Sequence, residues 1–415
     1  MKRLMMVFSV ISVFFMVGYA EKVVLQYWDV TTQPSKEWWR SAMIEAFNKL
    51  YPNIEVQLFT VPFDDYFTKL EAAFAAGTAP DVMAIDAPDV PRRAEQGVLL
   101  PLDEYFQYEL SDFLEASLAE ATWKGHLYAV PMYQSSQAIF YNKRMFAELG
   151  LEPPVDPEEA WTWEKVVEVA RQLTKDLDGD GTPDIWGLII EQIDRPYQLN
   201  PLLESKGAQL ISPDGTTVNG YLNSPAAIEA MEFYGKLFNE WKIAPKEALP
   251  ELFGTGRAAM FWGGPWNIAR WEELYPDLEW GVMPHPYFEG GRKVTPSGSW
   301  HLGVYKYSKH PIEAIRFITF LIDMSGCDLQ YEITKYLPVR KSTYIIHNIF
   351  ETYPINIFAK QLFTTASPRP RTPAYLEFED ILRQVYRNVM AGADAAAELN
   401  KAVVLIDRYL AQWRR

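Results

Sequence analysis

Apolar positions along the chain switch repeatedly between two periods. Val23 to Trp28 (VVLQYW) reads as a buried strand. From Trp39, the apolar residues Met43, Ala46, Phe47 and Leu50 recur at helical spacing until Tyr51-Pro52-Asn53 stops them. Ile54, Val56 and Leu58 alternate as a second strand, Phe63 to Ala76 is helical with Gly77 as its cap, and Val82 to Ile85 is a short apolar run between Pro80 and Pro88. Strand, helix, strand, helix, strand at this spacing predicts a parallel sheet covered by helices. Ligands of such sheets sit beyond the carboxyl ends of the strands, which singles out Trp28-Asp29 and Asp86-Ala87.

The alternation resumes in the middle of the chain. Thr162 is placed to cap a helix carrying Val166, Val167, Ala170 and Leu173, and Trp186 to Ile190 follows as a strand. Ser224-Pro225 opens a helix with Ile228, Met231 and Phe238, because proline suits the first helical position. A further helix runs from about Pro311 through Leu321, and the tail from Leu376 to Trp413 forms two more around Ala391-Gly392. No internal repeat is visible, and no linker divides the chain into consecutive halves. This pattern suits two lobes between which the chain crosses several times.

The first twenty residues stand apart. Lys2 and Arg3 precede a 14-residue apolar run from Leu4 to Val17, and Gly18-Tyr19-Ala20 offers small residues at the −3 and −1 positions of a cleavage site. A spanning helix needs about 20 apolar residues, so 1–20 is read as a cleaved secretory signal, with a retained anchor as the alternative. No cysteine lies near that point, so the lipid attachment of a bacterial lipoprotein is not expected; the chain is expected to be periplasmic or secreted.

Charge and cysteine content narrow the function. The 54 acidic and 39 basic side chains give a formal charge of −15, which repels phosphate backbones and argues against a nucleic-acid partner. The single cysteine, Cys327, rules out an intramolecular disulfide or a thiolate cluster and is expected to be a buried small hydrophobe. There is no Gly-x-Ser-x-Gly elbow, no glycine-rich phosphate loop and no pair of histidines at metal-ligand spacing. Aromatic residues are abundant, with 14 Trp, 23 Tyr and 23 Phe.

Four segments in order carry a family resemblance. They are Gly77-Thr78-Ala79-Pro80-Asp81-Val82 followed by Ala94 to Leu102 (AEQGVLLPL), Gly125 to Pro131 (GHLYAVP) running to Phe140-Tyr141-Asn142-Lys143, and Phe253 to Met260 (FGTGRAAM) leading to Gly264-Pro265-Trp266. Together they resemble the extracellular solute-binding proteins of ATP-driven importers, specifically the family that includes the maltose-binding protein. The resemblance covers nearly the whole chain after residue 20. It implies an α/β two-lobe periplasmic-binding-protein fold of type II, with lobe 1 over 21–133 and 297–340 and lobe 2 over 134–296 and 341–415. It also implies a monomer that holds a sugar in the interlobe cleft, docks on the membrane permease subunits of an ABC importer, and performs no chemistry with any cofactor.

A pyranose ring is gripped by aromatic platforms on its C–H face and by hydrogen-bonding groups around its hydroxyl edge. By the resemblance, Trp266 falls on the family's stacking tryptophan, although a core tryptophan is the alternative. Tyr197 falls on a second cleft aromatic, and Trp28 and Asp29 fall where ligand contacts lie. Asp86 is either a contact or a helix cap. The chain departs from the maltose-specific pattern at Ser135, where that member uses a glutamate, and at Glu379, where it uses a tryptophan. Arg369 and Tyr375 are candidates to face the cleft instead, and Trp300, beside Ser299 at the second crossing, is a candidate for the missing platform; Gly298 and Ser299 also suit a purely mechanical hinge. A glycosidase is the rival reading, since it also needs paired carboxylates; Asp29, Asp86 and Glu379 are its candidates.

One acidic loop lies outside this scheme. Asp176, Asp178, Asp180, Thr182 and Asp184 occupy positions 1, 3, 5, 7 and 9 of an EF-hand-like loop with Gly181 at 6, but position 12 is Gly187 rather than glutamate. Either the loop holds a structural calcium ion or it is a solvated acidic turn.

Overall fold

The computed structural model describes residues 22–31, 34–106 and 110–414; the segment read as a secretory signal lies outside the described residues. No helix among those described is long and apolar enough to cross a membrane.

Two sheets carry the architecture. In the first, Val23–Val30 lies between Ile54–Val61 and Val82–Asp86 and runs parallel to both. Gly298–Val304 adds antiparallel to Val82–Asp86, with Trp300 opposite Asp86, and Val130–Ser135 closes the far edge, also antiparallel. The second sheet runs Trp280–Met283, Ala138–Asn142, Ala258–Gly263, Trp186–Ile190, and only the last pair is parallel. The first three strands thus form the parallel unit that the sequence pattern predicts. A strand returning from more than 200 residues downstream then reverses the direction.

Local signals explain the helix ends. The Phe63–Ala76 helix stops at Gly77, whose φ of 69° puts it in the left-handed region that glycine adopts without strain. Thr162 accepts a hydrogen bond from the Lys165 amide, and Ser224 accepts one from Ala227, each capping its helix. The tail folds as Tyr375–Met390 and Ala395–Gln412.

Each sheet has an apolar core on both faces. One set joins Leu25, Met132 and Leu302 to Phe317 and Ile318, while the opposite face packs Val61, Tyr66 and Ile85. The other sheet buries Leu188, Met260 and Trp262 against Tyr234, Phe378 and Leu382. The boundaries drawn from the sequence need adjustment. The Val130–Ser135 strand stays in the first sheet through Ser135, two residues past 133. There is no clean cut at 340 either, because Tyr331 and Leu337 pack in one cluster with Phe140, Phe261 and Phe358. Cys327 is buried, and burial pushes its thiol up to about 12.

Candidate functional site

A cavity of about 500 Å³ opens between the two sheets. Its position follows from the topology: Val30, Asp86 and Ser135 end their strands at its wall, and Glu191 comes directly after Ile190 from the other side. The first lobe contributes Phe63, Tyr133, Trp300 and Tyr336, and the second contributes Arg195, Tyr197, Trp266 and Arg270; Arg369 and Glu379 complete the wall. Gly298 is required where the walls meet, since a Cβ there would lie 2.5 Å from the Tyr197 ring and 2.9 Å from Ser135 Oγ.

Trp266 is 8% exposed, and its Nε1 donates to Glu191 at 2.8 Å while Asn267 donates to the other Glu191 oxygen at 2.9 Å. Burial raises the Glu191 carboxyl despite these bonds. Across the cavity the Trp266 ring stacks on Tyr336, with centroids 6.1 Å apart and planes at 30°. Tyr197 and Ser135 share a hydroxyl–hydroxyl bond of 2.8 Å, and Ser135 also donates to the Gly298 carbonyl. Arg369 donates to both oxygens of Asp86, one at 2.7 Å, and its guanidinium stands 5.3 Å from the Tyr197 ring centre. The Asp86 side chain makes no capping hydrogen bond.

Three residues singled out from the sequence do not line this cavity. The Trp28 ring points to the same face as Val30 but two residues before the strand end, where it packs on Phe59 at 5.2 Å rather than lining the cavity. Asp29 is fully buried, where it accepts from Tyr27 Oη at 2.8 Å and pairs with Lys36 at 3.4 Å and Arg40 at 2.8 Å. Burial pushes the Asp29 carboxyl up, yet the Lys36 and Arg40 charges win and hold it below the usual carboxylate range. Tyr375 is 1% exposed and belongs to the second lobe's core, behind Arg369. Ser299 lies in the Gly298–Val304 strand, paired with Gln134; its side chain is outside the described residues.

Asp29 nonetheless reaches the cavity indirectly. Lys36 Nζ donates to Tyr133 Oη at 2.8 Å and lies 5.8 Å from the Trp300 ring centre, so the ion pair supports two wall aromatics from behind. Burial draws the Lys36 ammonium down to about 8. Of the carboxylates put forward for a glycosidase, Asp29 and Asp86 are therefore engaged in ion pairs.

The lobes also touch outside the wall. Asp64 pairs with Arg195 and lies 3.7 Å from Arg383, Arg195 covers the Phe63 ring at 4.5 Å, and Arg92 bonds Glu377 at 2.9 Å. Sequence reasoning missed Phe63, Tyr133, Glu191 and Tyr336. Only Glu191 carried a signal, namely its place immediately after a strand.

In the acidic loop, Asp176, Asp178 and Asp184 each bring an oxygen within 4.8 Å of the others, all exposed, whereas Asp180 stands outside that group. Asp176 accepts from the Gly179 and Gly181 amides and Asp184 from that of Leu177, so the turn is held by its own backbone.

Residues 31–326 match the family model described as bacterial extracellular solute-binding protein. The chain is 26% identical over 379 residues to a Brucella abortus protein named as a binding protein, covering 88% of each. It is 24% identical to the maltodextrin-binding protein of Bacillus subtilis, covering 73% of this chain and 70% of that one. Among solved structures, a solute-binding protein of Thermotoga lettingae bound with α-D-tagatose superposes with a TM-score of 0.83 at 23% identity, covering 94% of this chain and all of its own. The GacH receptor of Streptomyces glaucescens, solved unliganded and with acarbose, gives 0.81 at 25% identity, covering 95% of this chain and 100% of that one. With the family model matched over more than half its length, the chain belongs to the bacterial extracellular solute-binding protein family.

Proposed function

We propose that this protein captures a carbohydrate between its lobes outside the cytoplasm and delivers it to the permease of an ABC importer. One observation carries the reading: ring faces from both lobes (Trp300 and Tyr336 opposite Trp266 and Tyr197) meet in one cavity beside charged edges. Rings receive the C–H face of a sugar while carboxylates and guanidinium groups receive its hydroxyls. Relatives support the same class, being named for maltodextrin and diacetylchitobiose. A ligand touching both lobes favours the closed arrangement by its differential affinity for it, and the closed arrangement is the form a permease can distinguish. The chain acts as a monomer without a catalytic cofactor, and residues 1–20 direct its export before cleavage.

The test is calorimetry and thermal shift against a panel holding D-tagatose, maltose, maltotriose, N,N′-diacetylchitobiose, acarbose and common monosaccharides. Saturable one-to-one binding with the sugar recovered unchanged is expected. A ligand at 100 times its Kd raises stability by about 2.7 kcal/mol, which is readily seen. Release of new reducing ends at enzyme-like turnover would favour the glycosidase, and no binding across the panel would remove the carbohydrate reading.

A further inference from the structure

Glu379 is a largely buried charged group of the cavity wall whose carboxylate no donor among the described residues ties down. It sits on the Tyr375–Met390 helix with 13% of its side chain exposed, and no hydrogen bond to its carboxylate occurs among the described residues. Each arginine near it has a better partner. Arg369 is held by both oxygens of Asp86, and Arg195 pairs with Asp64 and covers Phe63, leaving Glu379 a separation of 3.8 Å. Arg383, one turn along the same helix, is drawn towards Asp64 and Asp194 at 3.7 and 3.6 Å. Glu191, by contrast, already accepts from Trp266 and Asn267.

A desolvated carboxylate that accepts nothing costs folding free energy, and a partner that supplies donors recovers it. We infer that Glu379 is a specificity-determining ligand residue that accepts two neighbouring hydroxyls of a neutral saccharide. This rests on the carbohydrate reading above. The two oxygens of a carboxylate match a vicinal diol as they match a guanidinium fork. A cationic amino sugar fits less well, because three positive charges, Arg369, Arg195 and Arg383, act on Glu379 against the one carboxylate of Asp86. Burial raises its carboxyl, opposed by Arg369, Arg195 and Arg383 and reinforced by Asp86.

The experiment compares wild type, Glu379→Gln and Glu379→Ala with the best-binding panel saccharide, its epimers and the matching amino sugar. Calorimetric Kd and the melting temperature without ligand are both read. Expected are at least a tenfold loss of affinity in Glu379→Ala, a smaller loss in Glu379→Gln, and a collapse of epimer discrimination in both. Their unliganded melting temperatures should equal or exceed that of wild type, because a desolvated carboxylate without hydrogen-bond donors has been removed. An affinity within threefold of wild type in Glu379→Ala would overturn the inference while leaving the carbohydrate reading standing. So would a fall in unliganded melting temperature in both variants, which marks a strut for Arg195, or a wild-type preference for the amino sugar. If no saccharide binds wild type, both readings fall together.

Discussion

Trp266 offers the sharpest test of how the cavity works, because three contributions meet on one side chain. Its ring lies against Tyr336 of the other lobe, its Nε1 holds Glu191, and its remaining surface faces the cavity. Truncating an aromatic at a hot spot costs about 2 kcal/mol or more, so Trp266→Ala should weaken ligand binding roughly 30-fold at 1.4 kcal/mol per decade. Trp266→Phe separates the terms: it keeps a ring face but deletes a hydrogen bond to a charged group, a loss of about 1.5–3 kcal/mol if Glu191 finds no substitute. Because Asn267 still holds the second Glu191 oxygen, the Phe variant should fall between wild type and Ala. Calorimetry gives the affinities, and circular dichroism melts check that the unliganded variants remain folded. An Ala variant that binds within threefold of wild type would refute the platform role. One that no longer folds would place Trp266 in the structural core instead.

Three further outcomes are expected. Asp64→Asn removes the exposed partner of Arg195 and Arg383 at the lobe contact, so it should weaken ligand binding up to about fivefold at low salt and enlarge the unliganded particle in solution scattering. The difference should shrink in 0.5 M salt, because such pairs are worth about 0–1 kcal/mol and are screened; a salt-independent difference would refute this. Burial draws His285 down to about 3, so between pH 6.5 and 3 the unfolded chain binds a proton that the folded one does not. Stability should fall by about 1.4 kcal/mol per pH unit through that window on this account, and an unchanged acid profile in a folded His285→Phe variant would contradict it. For the 176–184 loop a weak calcium site is proposed: chelator should lower the melting temperature of wild type but not of Asp178→Ala, and no shift in either leaves a solvated turn.

What the sequence revealed was local, and what it hid was long-range. The parallel start of the first sheet was legible because each strand there is adjacent in the chain to the helix that covers it. The Gly298–Val304 strand was not legible, since its partners Val82–Asp86 and Val130–Ser135 lie far upstream and alternation along one segment cannot name them. The same distinction governs the site. Asp86 and Glu191 stand next to strand ends that periodicity can locate, whereas Trp266 was legible only through the family resemblance. Tyr336 enters the cavity only because of how the chain packs, which no short window encodes, and Phe63, although it opens a helix the pattern located, reaches the wall by the same packing. Trp28 lies off the wall because it sits two residues short of the strand end, and Asp29 for a finer reason. Knowing where a strand ends does not give its facing, and one residue of register separates Val30 at the cavity wall from Asp29 behind it.

The contacts joining the lobes at the cavity are each modest, and this matters for function. Opening would expose the Tyr197 and Ser135 hydroxyls to water, a net change of about 0.5–1.5 kcal/mol, and would separate the Trp266–Tyr336 rings, a pairing worth about 0.5–1.5 kcal/mol beyond buried area. The Arg369–Asp86 pair is larger in Coulomb energy, but water entering the open cleft would solvate both charges and return much of that loss. Each of these contacts is small enough for the differential affinity of one bound saccharide to offset. Had the walls been joined by an uninterrupted apolar interface, the lobes would remain shut and no ligand could govern them. Under the proposed function, the half-polar seam of Ser135, Asp86, Tyr197 and Arg369 is what would let occupancy of the cavity set the arrangement of the lobes.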